Sequence, residues 1–251
     1  MEPRLIPVLL IERGRLIKTT KFSQPVYVGD ALNTVKILNE KEVDEIILLD
    51  VGARSERRGP NLKVLGEISG EAFMPLGYGG GIRNLEDATQ VLQQGFEKIV
   101  LGRISLEDPN LIDEMAKVFG CQSVVVCVDV EKKLFGGRRV RHAAGSRRDP
   151  NSWIHECVER GAGEIILQSV DRDGTRTGYD LSLYENLSAD ISVPVIALGG
   201  AGSLMDVQKV LTCRKVHSAA AGSLFVHQGP HRAVLISYPE RTELQKEGIL
   251  S

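Results

Sequence analysis

The 251-residue chain has no excess of charge of either sign: 31 Lys and Arg stand against 33 Asp and Glu, a formal net charge of -2. That balance removes the broad basic surface that nucleic-acid binding needs. Cys121, Cys127, Cys157 and Cys213 lack the paired spacing of a metal site, and His142, His155, His217, His227 and His231 form no ligand set either. No metal or cofactor is expected. No apolar run reaches membrane-spanning length, and no secretory signal pattern, low-complexity stretch or linker interrupts the chain. The sequence reads as one domain over 1–251, a cytoplasmic protein with reduced, buried thiols and no membrane partner.

What is present is a regular alternation of short apolar runs with segments of helical spacing. Strands are expected at Arg4–Leu10, Glu45–Asp50, Phe73–Tyr78, Glu97–Leu101, Ser123–Asp129, Glu164–Ser169, Val193–Leu198 and Lys215–Ala220. Helices are expected at Ala31–Val43, Asn61–Ser69, Leu85–Gln94, Pro109–Phe119, Ser152–Arg160, Leu181–Ser188 and Leu204–Leu211. A last helix follows Gly222-Ser223-Leu224 and ends near Tyr238-Pro239. Glu12 to Pro25 reads as a long polar loop able to close over a ligand. The basic segment Glu131 to Arg148, with Lys132, Lys133, Arg138, Arg139, Arg141, Arg147 and Arg148, fits either a hairpin-like excursion or a solvated loop.

The pattern repeats. Glu45-Ile46-Ile47-Leu48-Leu49-Asp50 returns 119 residues later as Glu164-Ile165-Ile166-Leu167-Gln168-Ser169, and Pro75 before Gly79-Gly80-Gly81 returns as Pro194 before Gly199-Gly200-Ala201-Gly202. Two copies of four βα units make a closed (β/α)8 TIM barrel built from duplicated half-barrels, whose usual length is roughly 250 residues.

Barrels bind ligands where their strands end, and the loop after Ser169 concentrates Asp171, Asp173, Gly174, Thr175 and Gly178 there. Each glycine turn is followed in the next unit by a second one, Gly102-Arg103 or Gly222-Ser223. Such turns let backbone N–H groups and helix dipoles approach anions. Two phosphate sites across one mouth are therefore expected, for a phosphorylated small molecule. Paired carboxylates are not. Asp129 ends the fifth strand, but its counterpart 119 residues earlier is Leu10, which can neither give nor take a proton.

The stretches IPVLLIERGRLIK, DEIILLD, GGGI, VVVCVDV, RGAGEIILQSVDRDGTRTGYD, ALGGAG and AAGSLF together resemble HisF, the cyclase subunit of imidazole glycerol phosphate synthase. That family uses ammonia from a glutaminase partner in histidine biosynthesis. The resemblance implies catalysis by Asp129 with Lys18, on the flexible first loop, and Asp173; Gln168 and Ser169 would line the substrate. It implies phosphate binding by Gly80, Gly81, Gly102, Arg103, Gly174, Gly200, Gly202 and Ser223. Arg4, Glu45, Lys98 and Glu164 match the family's ammonia gate, a ring of four charges at the amino-terminal mouth, where a HisH-like glutaminase subunit would dock.

The departures bear on function. Leu10 stands where the family has its second catalytic aspartate, Gly102-Arg103 replaces Asn-Thr, and Leu198 replaces a serine. Arg103 still offers phosphate a charged fork, whereas loss of a general acid or base removes roughly 100 to 10,000-fold in rate. A retained gate with a lost acid resembles a paralogous branch, which supports amidation of acetamido to acetamidino groups on bacterial surface sugars such as those of lipopolysaccharide. Tyr27-Val28-Gly29-Asp30 and Glu40-Lys41-Glu42-Val43-Asp44 resemble that branch too. Three readings follow: such an ammonia-channelling subunit, a true cyclase whose second acid has moved to Asp50, Asp171 or Glu12, and a non-catalytic scaffold for a phosphorylated effector.

Overall fold

Runs such as Ile46-Ile47-Leu48-Leu49 and Val124-Val125-Val126 present no polar face, so the strands they form are buried on both sides and pair in parallel. The computed structural model describes residues 2–133, 136–142, 148–229 and 231–250. Its main sheet contains β1 (Leu5–Glu12), β2 (Arg15–Thr20), β3 (Ser23–Asp30), β4 (Ile46–Asp50), β5 (Leu76–Gly79), β6 (Lys98–Leu101), β7 (Val124–Lys132), β8 (Arg138–Val140), β9 (Glu164–Ser169), β10 (Val195–Leu198) and β11 (Val216–Ala221). β1, β4, β5, β6, β7, β9, β10 and β11 pair in parallel in that order. β11 then returns to β1, with Leu5 beside Ala219, and closes a (β/α)8 TIM barrel.

The helices between these strands are α1 (Ala31–Glu40), α2 (Leu62–Ser69), α3 (Leu85–Gln93), α4 (Arg103–Glu107), α5 (Asn110–Phe119), α6 (Pro150–Glu159), α7 (Leu181–Glu185) and α8 (Leu204–Leu211). After β11 come α9 (Ser223–Val226), the short hairpin β12 (His227–Gln228) and β13 (Ala233–Val234), and α10 (Arg241–Lys246). Strand alternation splits the core in two. Ile6, Val8, Ile47, Val100, Val125, Ile166, Ile196, Leu198 and Ala220 fill the barrel. Their neighbours, such as Leu5, Leu9, Ile46, Leu48 and Val126, pack outward against the helices. No helix among the described residues is long and apolar enough to cross a membrane.

The repeat survives in three dimensions. Leu5 and Val124, which open β1 and β7, are 119 residues apart, as are Leu76 and Val195, which open β5 and β10. The helix caps keep the offset too: Asn84 caps α3 by accepting the Asp87 N–H, and Ser203 caps α8 by accepting the Asp206 N–H.

Several sequence expectations need correction. Glu12 to Pro25 is not a loop: β1 runs on to Glu12, turns at Arg13-Gly14, and returns through β2 and β3 as an antiparallel ribbon. Leu16 and Ile17 are buried on it, which pays for its order. The basic segment is a hairpin where it is described, with Val140 opposite Val130 and Arg138 opposite Lys132; Arg147 lies outside the described residues. The third and seventh strands start later than expected, at Leu76 and Val195, after the prolines. Pro75 and Pro194 contribute only their carbonyls to the sheet, accepting the Ile46 and Ile165 N–H groups, and Phe73 is 89% exposed. The final helix is not continuous to Tyr238: α9 stops at Val226, and a hairpin and α10 follow. The cysteines are free, yet only Cys157 and Cys213 are fully buried, and Cys121 is exposed.

Candidate active site at the carboxyl-terminal mouth

Alternation also decides which side chains reach the mouth. The inward series of β1, Ile6 and Val8, leads to Leu10; that of β7, Val125 and Cys127, leads to Asp129; and that of β9 leads from Ile166 to Gln168. These residues border a cavity of about 890 Å3 above the barrel core. Leu10 lies beside Ile17 and Leu49 in the sheet, and Asp129 lies beside Gln168. Leu10 therefore sits among aliphatic neighbours, whereas Asp129 sits beside an amide.

Removal of water around the Asp129 carboxyl pushes it up to about 7, and the nearby Asp173 charge adds to the rise. The Cys127 thiol, which donates to Asp129 across 3.7 Å, and Arg141 oppose it. A carboxyl poised there can hold or release a proton near neutrality. Burial, reinforced by Asp129, keeps the Cys127 thiol well above its ordinary range.

Gly80, Gly81, Gly102 and Arg103 border the same cavity. Gly80 has a φ of +109°, and a Cβ there would sit 2.2 Å from the Asp50 carbonyl oxygen, so only glycine fits. Around this turn converge guanidinium groups that the sequence reading missed: Arg54, Arg57 and Arg58 from the β4–α2 loop and Arg83 after the glycines. The signal was present in the Arg-Ser-Glu-Arg-Arg run directly after a strand end. Arg54 grips Glu107 with two hydrogen bonds of 2.9 and 2.8 Å, and Arg103 donates to the same carboxylate at 3.0 Å. The Arg54 bonds, ahead of those from Arg103, bring the Glu107 carboxyl down to about 2.

Two of the three candidate replacement acids are committed elsewhere. Asp50 forms a two-pronged pair with Arg58, at 2.7 and 2.9 Å, and accepts the N–H groups of Gly52 and Ala53. Asp171 accepts the Lys132 N–H at 2.8 Å. Glu12 borders the cavity, and its carboxylate has no hydrogen bond or ion pair among the described residues.

The remaining expected residues collect outside this cavity. Ile17 and Thr19 of β2 border it, and Lys18 between them places its Nζ 3.3 Å from Asp173. Thr19 donates its hydroxyl to Asp173, also at 3.3 Å, and the Lys21 N–H donates to the Asp173 carbonyl. Gly174 packs under Thr19 and Gly222 under Lys18, while Gly200 and Gly202 pack against Gly178 and Arg176. Ser169, Gly174, Gly200, Gly202 and Ser223 do not border the cavity. The ribbon is pinned at its tip, where Arg141 stacks 5.0 Å over Phe22.

One substitution tests how the ribbon is held. Gly174 has a φ of +68°, and a Cβ there would meet the Thr19 carbonyl oxygen at 2.2 Å. Gly174→Ala should lift the ribbon, at a cost of about 1–3 kcal/mol, and raise the rate of limited proteolysis after Lys21 roughly tenfold. Unchanged cleavage would show that the ribbon does not depend on this contact.

At the opposite end of the barrel, Arg4 and Glu45, immediately before β1 and β4, meet Lys98 and Glu164, the first residues of β6 and β9. Arg4 bridges Glu45 and Glu164 at 2.5 and 2.6 Å, and Lys98 bridges the same two carboxylates at 2.9 and 2.8 Å. The ring is closed. Burial holds the Glu45 carboxyl above its ordinary range against the pull of Lys98 and Arg4.

The model of the histidine biosynthesis protein family matches residues 4–231. The chain is 47% identical to a protein of Pseudomonas aeruginosa provisionally named imidazole glycerol phosphate synthase subunit hisF2, over 96% of this chain and 97% of that one. It is 44% identical to the provisionally named subunit HisF of Leptospira interrogans, over 97% of each chain. It is 42% identical to the provisionally named subunit hisF3 of Vibrio vulnificus, over 98% of this chain and 96% of that one. A half-barrel repeat, a strand-end cavity with one poised carboxyl, and near-complete coverage by these relatives agree: the chain belongs to the histidine biosynthesis protein family, among its HisF-like barrels.

Proposed function

We propose that this barrel is the ammonia-accepting subunit of a glutamine amidotransferase pair. A HisH-like glutaminase docks at the amino-terminal face, and the ammonia serves conversion of an acetamido to an acetamidino group on a bacterial surface sugar. The observation that carries this reading is a complete four-charge ring at one end of the barrel combined with a single poised acid, Asp129, at a mouth where Leu10 occupies the second acid's place. Ammonia passes the ring, crosses the barrel and leaves beside Asp129. The commitment of Asp50 to Arg58 and of Asp171 to the Lys132 backbone supports the loss of the two-acid reaction.

A second reading has a specific observation in its favour. Glu12 borders the cavity with an uncommitted carboxylate, and the names of the relatives belong to a cyclase. In that reading the protein makes imidazole glycerol phosphate and an aminoimidazole carboxamide ribotide.

Supplying the purified barrel with ammonium and the phosphoribulosyl formimino substrate of histidine biosynthesis separates the two. The proposal expects no imidazole glycerol phosphate at an enzyme-like rate, together with binding and stimulation of a glutaminase subunit. Enzyme-like turnover that disappears in Glu12→Gln establishes the cyclase instead. Failure to bind or stimulate any glutaminase removes the ammonia-accepting role.

A further inference from the structure

The duplication supplies an internal control for the arginines at the mouth. Arg54, Arg57, Arg58, Arg83 and Arg103 all border the cavity. At the positions 119 residues on stand Asp173, Arg176, Thr177, Gly202 and Gly222, a single cation among five. The formal charge of the chain is only -2, so this concentration does not reflect a basic protein. It belongs to one wall of one cavity. A monophosphate on the Gly80-Gly81 turn is satisfied by backbone N–H groups and one cation such as Arg103. The other guanidinium groups exceed that need.

Their pairing shows which of them are held in reserve. Arg58 is neutralised by Asp50 and Arg83 by Asp87, each through two hydrogen bonds. Arg54 and Arg103 share the one carboxylate of Glu107, so that trio keeps a net positive charge. Arg57 has no side-chain hydrogen bond or ion pair among the described residues. Its backbone is left-handed, with a φ of +51°, and that of its repeat counterpart Arg176 is too, at +59°, so the turn belongs to the repeat and the difference lies in the partners: Arg176 donates to the Gly229 and Gly202 carbonyls. Arg57 instead leaves an exposed, unpaired guanidinium at the cavity edge, beside a trio of side chains with a net positive charge, where an anionic group can meet it.

We infer that the β4–β6 side of the mouth is built for a diphosphate: one phosphoryl group on the Gly80-Gly81 turn and Arg103, the next between Arg54 and Arg57. The inference deepens the phosphate reading of this turn and rests on it. It does not depend on what the barrel does with ammonia.

Calorimetric titration of the full chain with inorganic phosphate and inorganic pyrophosphate tests it. Pyrophosphate should bind at least roughly tenfold more tightly, the equivalent of one added charge-assisted pair. Arg57→Gly should abolish that preference while changing phosphate affinity by less than about twofold, and should raise Tm by about 2–4 °C by relieving the backbone. Equal affinities in the wild type, or a preference that survives in Arg57→Gly, overturns the diphosphate site alone. Binding of neither anion overturns the phosphate reading with it. Where pyrophosphate is preferred, titration with uridine diphosphate and farnesyl diphosphate tells a nucleotide bearer from a lipid one.

Discussion

Glu45→Ala is expected to cost the barrel about 3–5 kcal/mol, the usual consequence of removing one partner from a buried ion pair. For a chain of this size that is a fall in Tm of roughly 10 °C or more. Glu45 is 1% exposed, and its two oxygens receive both Arg4 and Lys98. Without it, two cations that are themselves largely buried retain only Glu164 between them. Glu45→Gln keeps the acceptor oxygen and loses the charge, so its penalty should be smaller. Combining Glu45→Ala with Lys98→Met rebalances the ring to one pair and should recover part of the loss. A Tm for Glu45→Ala within about 2 °C of the wild type would mean that water already shields the ring, and that its charges are available for another purpose. The same variants report on function. A ring that only stabilises the barrel leaves glutaminase stimulation intact in the rebalanced double variant, whereas a ring that admits ammonia does not.

Much of this arrangement could be read from the sequence, for physical reasons that differ by element. The barrel strands were legible because a strand buried on both faces must be continuously apolar, and the 119-residue offset located four of them twice. The first ribbon was not. Arg15 to Thr20 alternates in part, but Gly14, Lys18 and Lys21 look like loop, and the burial of Leu16 in the outer core and of Ile17 at the cavity wall comes from long-range packing that no local pattern announces. Leu10 was identified as the residue opposing Asp129 by arithmetic alone, because strand alternation is strict. The charge ring was legible only through the family resemblance, since Arg4, Glu45, Lys98 and Glu164 meet by standing at the starts of different strands. The arginine wall escaped for the opposite reason: Arg54 to Arg58 is a charge run, and charge runs are usually solvated. Lys18 stands on the first ribbon, where its ammonium pairs with Asp173, another residue that the resemblance singles out.

Asp129→Asn is expected to change both the chemistry and the pH dependence of stability. The folded-state carboxyl sits near 7, against an ordinary value of 3.8. Between those two values the folded protein holds a proton that the unfolded chain has released. Stability contributed by this group is therefore complete below about pH 4, falls as pH rises toward about 7, and is constant above that. The slope in the window approaches about 1.4 kcal/mol per pH unit. The substituted amide has no proton to lose, so the variant should match the wild type near pH 4 and exceed it at pH 8, by on the order of 2–4 kcal/mol. Urea titrations at the two pH values measure this directly, and parallel curves for the two proteins would show that Asp129 ionises freely in the mouth. Activity should move the other way. If Asp129 relays a proton in the amidotransferase complex, the variant loses roughly 100 to 10,000-fold while gaining stability, the trade expected of a carboxyl kept in an unfavourable place for its chemistry. A complex that remains fully active with the Asp129→Asn barrel would instead assign the mouth to effector binding, and the barrel to a scaffold.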